Sequence, residues 1–168
     1  MFVTNPHSIQ SVLYPYCKNY SLFVCPGAAK MSQANRDAYC AGHVGESYLW
    51  NGGVFDVTAG SQALASLKNP SSIALAVEMK SEDCWSRMAP YFHPNGHWWT
   101  NYNYTVPIHA SETVVNVPYA DGHAKGVKFD AIETKDFGFY LADGSSRIVS
   151  KSSTANPGWT FSDCSFKG

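Results

Sequence analysis

Hydrophobic and polar positions recur with different periods along this chain, and the changes of period divide it into short elements. In residues 8–20, Ile9, Val12, Leu13 and Tyr16 fall at the i, i+3, i+4, i+7 spacing that gathers apolar side chains on one helix stripe. Pro15 sits inside that stripe. It has no backbone N–H to donate, so the pattern predicts a short helix that breaks near it. Residues 22–25 are apolar and stop at Pro26-Gly27, and the polar, Ala-containing residues 31–36 predict a helical turn. Residues 47–50 predict a strand that ends in the turn Asn51-Gly52-Gly53. A small helix is expected over 61–67, closed by Asn69-Pro70, because the residue before proline is pushed out of helical geometry. Residues 73–79 form a compact apolar run, the mark of a buried strand.

The second half changes character. Residues 113–119 and 123–129 flank Asp121-Gly122, and residues 138–141 and 147–149 flank Asp143-Gly144. Asp-Gly tolerates the positive φ that tight hairpin turns require, so both sites predict chain reversals. The tail from residue 152 is rich in Ser, Asn and Gly, with Trp159 and Phe161 as anchors. Helices early and paired strands late make the expected fold α+β, one domain over residues 1–168. Between the halves, residues 84–104 read as a loop-like, aromatic-rich insertion containing Trp85, Tyr91, Phe92, Trp98, Trp99, Tyr102 and Tyr104.

Composition narrows the classes. A chain of 168 residues buries about 70% of its unfolded surface, enough for a real core. Charged residues make up 15% of the chain where about 25% is usual, aromatics reach 14%, and the formal net charge is -1. That balance gives no electrostatic footprint for nucleic acid or an anionic membrane surface. The apolar runs fall short of the roughly 18 residues that span a bilayer, so a soluble globular chain is expected. Five cysteines, Cys17, Cys25, Cys40, Cys84 and Cys164, show no C-x-x-C pair and no zinc spacing. The low charge and the sequons Asn19-Tyr-Ser21 and Asn103-Tyr-Thr105 suit an extracytoplasmic protein, where cysteines pair. An odd count leaves one thiol free, paired outside the chain, or parted from its partner by truncation. The first residues show no signal-peptide pattern, and a truncated chain would explain both facts. Pairing does not follow from sequence. The preferred arrangement joins Cys25 to Cys40 and Cys84 to Cys164, leaving Cys17.

Candidate chemistry is sparse. Gly45-Glu-Ser47 lacks the closing glycine of a nucleophile elbow, and none of the cysteines stands in a catalytic context. No residue is assigned a catalytic role. His93 and His97 bracket Pro94-Asn95-Gly96, which argues against the helix that would aim two imidazoles at one metal. Together with His109 and His123 they are the candidate groups of a hydrolase, kept as an alternative. Asp121, Asp136 and Asp143 are the candidate calcium ligands, since hard cations take oxygen, although Asp121 and Asp143 are equally read as plain turn residues. Trp85, Trp98, Trp99, Tyr102 and Tyr104 are the candidate surface for a carbohydrate or other polymer, with a subunit contact or a satellite core as the other readings.

Four segments in order carry a family resemblance: LYPYCKNYSLFVCP (13–26), SYLWNGG (47–53), LKNPSSIALAVE (67–78) and VPYADGHAK (117–125). Together they are similar to the globular part of type II secretion pseudopilins and related prepilin-type proteins that bear the H-X9-DG processing-associated domain. His109, Asp121, Gly122 and His123 answer to the namesake motif, with eleven residues rather than nine between His109 and Asp121. The resemblance implies a pilin-like head, a short N-terminal helix packed on an antiparallel sheet with long aromatic-rich loops. It also implies an upstream prepilin cleavage motif and membrane helix absent from this chain, and a structural subunit of a type II secretion pseudopilus or type IV pilus-like filament. Its partners would be other pilin or pseudopilin subunits and the secretion machinery, and its location extracytoplasmic, anchored through that helix. No cofactor is required, with calcium as the candidate ion because some pseudopilins bind it in a C-terminal loop.

Overall fold

The computed structural model describes residues 9–30, 32–34, 46–55, 62–83, 87–88, 113–148 and 164–168. The described residues form helix α1 (Ile9–Cys17), a one-turn helix α2 (Gly52–Phe55) and seven strands in three small sheets. Strand β1 (Glu46–Asn51) lies between β2 (Ala76–Asp83), which is antiparallel to it, and the two-residue β3 (Arg87–Met88), which is parallel. Strands β4 (Val114–Pro118) and β5 (Ala124–Lys128) form an antiparallel hairpin. A third antiparallel pair joins β6 (Phe139–Leu141) to β7 (Cys164–Phe166).

The core lies where β2 meets the β4–β5 hairpin. Val77, Val115, Val117, Ile132, Phe137 and Phe139 are buried there, with Ala74, Phe129 and Cys164. Strand alternation explains the hairpin's share: Val115 and Val117 point inward while Asn116 between them is exposed.

Helix α1 runs through Pro15 without a break. The proline stands in the last turn, where only one intrahelical donor is lost. The expected apolar stripe is not buried. Val12 is 59% exposed, Leu13 39% and Tyr16 85%, while Gln10 is buried. A left-handed Lys18, at φ 53°, turns the chain so that Tyr14 stacks on Tyr20, with ring centroids 4.3 Å apart. That contact selects a different face of the helix from the one the spacing marks.

Three further expectations change. The helix expected over 61–67 is a 3-10 turn at Leu64–Ser66 capped by Leu67, and Asn69-Pro70 opens a second such turn, Pro70–Ser72. The strand expected over 73–79 begins at Ala76, because residues 73–75 bond elsewhere: Ala74 N–H donates to the Asp136 carbonyl at 2.6 Å and Leu75 N–H to that of Pro118 at 2.7 Å. It continues to Asp83 through polar residues that no apolar pattern marks. At Asp143-Gly144 the chain does reverse, with Gly144 at φ +83° and Leu141 N–H donating to Ser145 at 2.9 Å. The described returning residues, Arg147 and Ile148, do not pair with β6, however. Ile148 bridges to Glu133 instead, while β6 pairs with β7, whose Phe166 meets Phe139 edge-on at 5.4 Å. The turn expected over 31–36 is described only at residues 32–34, and the insertion 84–104 lies outside the described residues apart from β3.

Candidate functional site

Buried polar bonds join the four motif segments pairwise, from 13–26 to 47–53, to 67–78, to 117–125. Asn51 ends β1, fully buried, and its carboxamide Nδ2 donates to the carbonyls of Ala74 at 2.8 Å and Phe137 at 2.9 Å. Its Oδ1 accepts from Gly53 N–H at 2.9 Å, which folds the chain into α2. One side chain thus serves three backbone groups that strand pairing leaves over. Ser47, at the other end of β1 and equally buried, accepts from Cys25 N–H on its hydroxyl at 2.5 Å. Glu78, in β2 and only 3% exposed, accepts from Asn116 N–H at 2.8 Å and from the Asn116 carboxamide at 3.2 Å. Backbone bonds complete the series: Ala120 N–H donates to Ile73 at 2.9 Å and Leu75 N–H to Pro118 at 2.7 Å. Burial pushes the Tyr48 phenol up, and the Glu78 charge adds to that.

The second constellation is the exposed turn joining β4 to β5. Gly122, at φ +95°, lets Tyr119 N–H reach the His123 carbonyl at 2.8 Å. The Asp121 carboxylate accepts from His123 N–H at 3.2 Å and lies 2.5 Å from the His123 Nδ1. The imidazole stacks on Tyr119, centroids 4.4 Å apart and planes within 4°. Bonding from the His123 side chain, then from its N–H, holds the Asp121 carboxyl below its ordinary range. Burial raises the Tyr119 phenol, with the Asp136 charge adding to it.

The predicted calcium ligands are each occupied by their own turn. Asp143 accepts from the Ser145 hydroxyl at 2.6 Å and N–H at 2.9 Å, which lowers its carboxyl. Asp136 accepts from Glu133 N–H at 2.8 Å as half of a capping box on the 3-10 turn Thr134–Phe137. Among the described residues no three His, Cys, Asp or Glu side chains gather as a metal site. Of the motif residues, Asp121, Gly122 and His123 share one turn, and His109 lies outside the described residues. So do His93, His97 and the aromatic candidates Trp85, Trp98, Trp99, Tyr102 and Tyr104. Cys25 and Cys164 are buried and Cys17 half-buried, while Cys40 and Cys84 lie outside the described residues, so neither preferred pair is visible.

Asn51 as a buried clasp, Ser47, Glu78 and Asn116 were not marked as site residues by the sequence. The available signal was a polar residue at an apolar strand position, as Glu78 is after Ile-Ala-Leu-Ala-Val. Family models, curated proteins and solved structures offer no match to this chain. Among the described residues no helix is long and apolar enough to cross a membrane.

Proposed function

We propose that this chain is the exposed globular head of a structural subunit, of the pilin-like kind that builds a type II secretion pseudopilus or a type IV pilus-like filament. The observation that supports this reading is the pairwise joining of the four resembling segments. Ser47 accepts from the Cys25 N–H, Asn51 donates to the Ala74 carbonyl, and the Ile73 carbonyl accepts from the Ala120 N–H, so segments distant in sequence join through buried polar side chains and backbone. Each of these groups bonds to backbone, the mark of residues that hold a shape. In this role the head is carried outside the cytoplasm on an upstream apolar helix, packs with other subunits and the secretion machinery, and asks nothing of a cofactor.

The test is in the source cells. Antibody raised against this chain should label sheared surface filaments or a membrane-bound pseudopilus, and the label should disappear when the prepilin peptidase is deleted. A protein released freely, with export indifferent to that peptidase, rejects the reading.

A further inference from the structure

The sequon at residues 19–21 sits in an unusual piece of backbone. Lys18 precedes it in the left-handed region at φ 53°, which turns the chain out of α1 and leaves Asn19 exposed. Asn19 then caps the 3-10 turn Tyr20–Phe23, with its Oδ1 accepting from Ser21 N–H at 2.9 Å and from the Ser21 hydroxyl at 2.8 Å. Tyr20 is held to one side by its stack on Tyr14. Both acceptor positions of the carboxamide are therefore filled by its own sequon, and Nδ2 donates to none of the described residues.

We infer that Asn19 is an N-glycosylation site, presented ready for transfer by the folded chain. The donor is an oligosaccharide linked to a lipid through phosphate or pyrophosphate. Asn19 Nδ2 attacks the anomeric carbon; the N–C bond forms as the C–O bond to phosphate breaks. The lipid-linked phosphate leaves with the electron pair, and the amide proton passes to a base of the transferase. An amide nitrogen is a poor nucleophile because its lone pair is delocalised onto oxygen. Two donors on Oδ1 stabilise the negative charge that gathers there as Nδ2 loses its proton, and one of them is the hydroxyl that the sequon requires at Ser21. The sugar would also stand near the exposed Val12, Leu13, Tyr16 and Leu22 in sequence, apolar groups that a bulky polar substituent helps keep in solution.

In cells this modification needs the same export as the proposed function, so the test is made in vitro, where the two separate. The folded chain is incubated with an oligosaccharyltransferase that accepts Asn-X-Ser/Thr and with its lipid-linked oligosaccharide, then digested and mapped by mass spectrometry, with a peptide of residues 14–26 alongside. The glycan should appear on Asn19 of the folded chain, be lost in Asn19→Gln and Ser21→Ala, and return in Ser21→Thr. Modification of the peptide but not of the folded chain overturns the inference, as does failure of both, or a Ser21→Ala chain that is modified as well as the parent.

Discussion

Asn51 shows at the scale of one residue how a side chain can stand in for strand pairing. Its carboxamide offers two N–H donors and an oxygen, and all are taken by backbone groups from three parts of the chain. Asn51→Ala removes two donor bonds and one acceptor bond from a buried site, and should cost about 2–4 kcal/mol in urea unfolding. Asn51→Asp should be no better despite its matching shape, since a carboxylate would aim acceptors at the Ala74 and Phe137 carbonyls in a dry site. An Asp variant as stable as the parent would remove the donor role. The clasp was not legible in the sequence, where Asn51 before Gly52-Gly53 reads as a turn residue. Its turn role is real, through Gly53 N–H, but its two donor bonds depend on residues 23 and 86 positions away.

Elements carry the second kind of dependence. Phe166 of β7 lies across Gly53 and Gly138: a Cβ on Gly53 would stand 2.2 Å from the Phe166 ring, and one on Gly138 2.7 Å. Gly53→Ala should destabilise by about 1–3 kcal/mol through overpacking. Combined with Phe166→Ala, which removes the ring, the pair should cost clearly less than the sum of the two single changes. Strict additivity in that double-mutant cycle would show that the glycine is there for another reason. In the turn Thr134–Phe137, burial raises the Asp136 carboxyl, against the lowering effect of the Glu133 N–H bonded to it. The folded chain then holds this proton more tightly than the unfolded chain does, so Asp136's contribution to stability falls as pH rises through the window between the unfolded and folded values. Glu133, Asp121 and Asp143 are shifted downward and act in the opposite sense, losing stability as pH falls. Asp136→Asn keeps an oxygen for the Glu133 N–H and should gain on the parent as pH rises from below the ordinary carboxylate range to above it. A stability difference that is flat across that range would exclude burial as the cause of the shift.

For the whole molecule, the cysteine count gives the sharpest test. If the chain is exported as proposed, two disulfides and one thiol are expected, with Cys17, whose thiol reaches the Asn19 carbonyl at 3.7 Å, as the unpaired residue. Titration of thiols in denatured, unreduced protein should find one per chain, and its label should map to Cys17. Three or five titratable thiols would remove one or both of the pairs.

The turns were open to local reasoning. Asp121-Gly122 reverses the chain as expected because the requirement is confined to a few dihedral angles: Gly122 adopts positive φ and Asp121 bonds two residues ahead. The alternation that buries Val115 and Val117 of β4 is equally local, although the sequence reading marked only the strand and not its inward positions. Tertiary structure alone decided which helix face of α1 is used, which strand pairs with β6, and where β2 begins. Those outcomes depend on partners far apart in the chain, such as Glu133 for Ile148 and the Asp136 carbonyl for the Ala74 N–H. A local pattern records what a segment can bury, and only the folded chain settles what it meets.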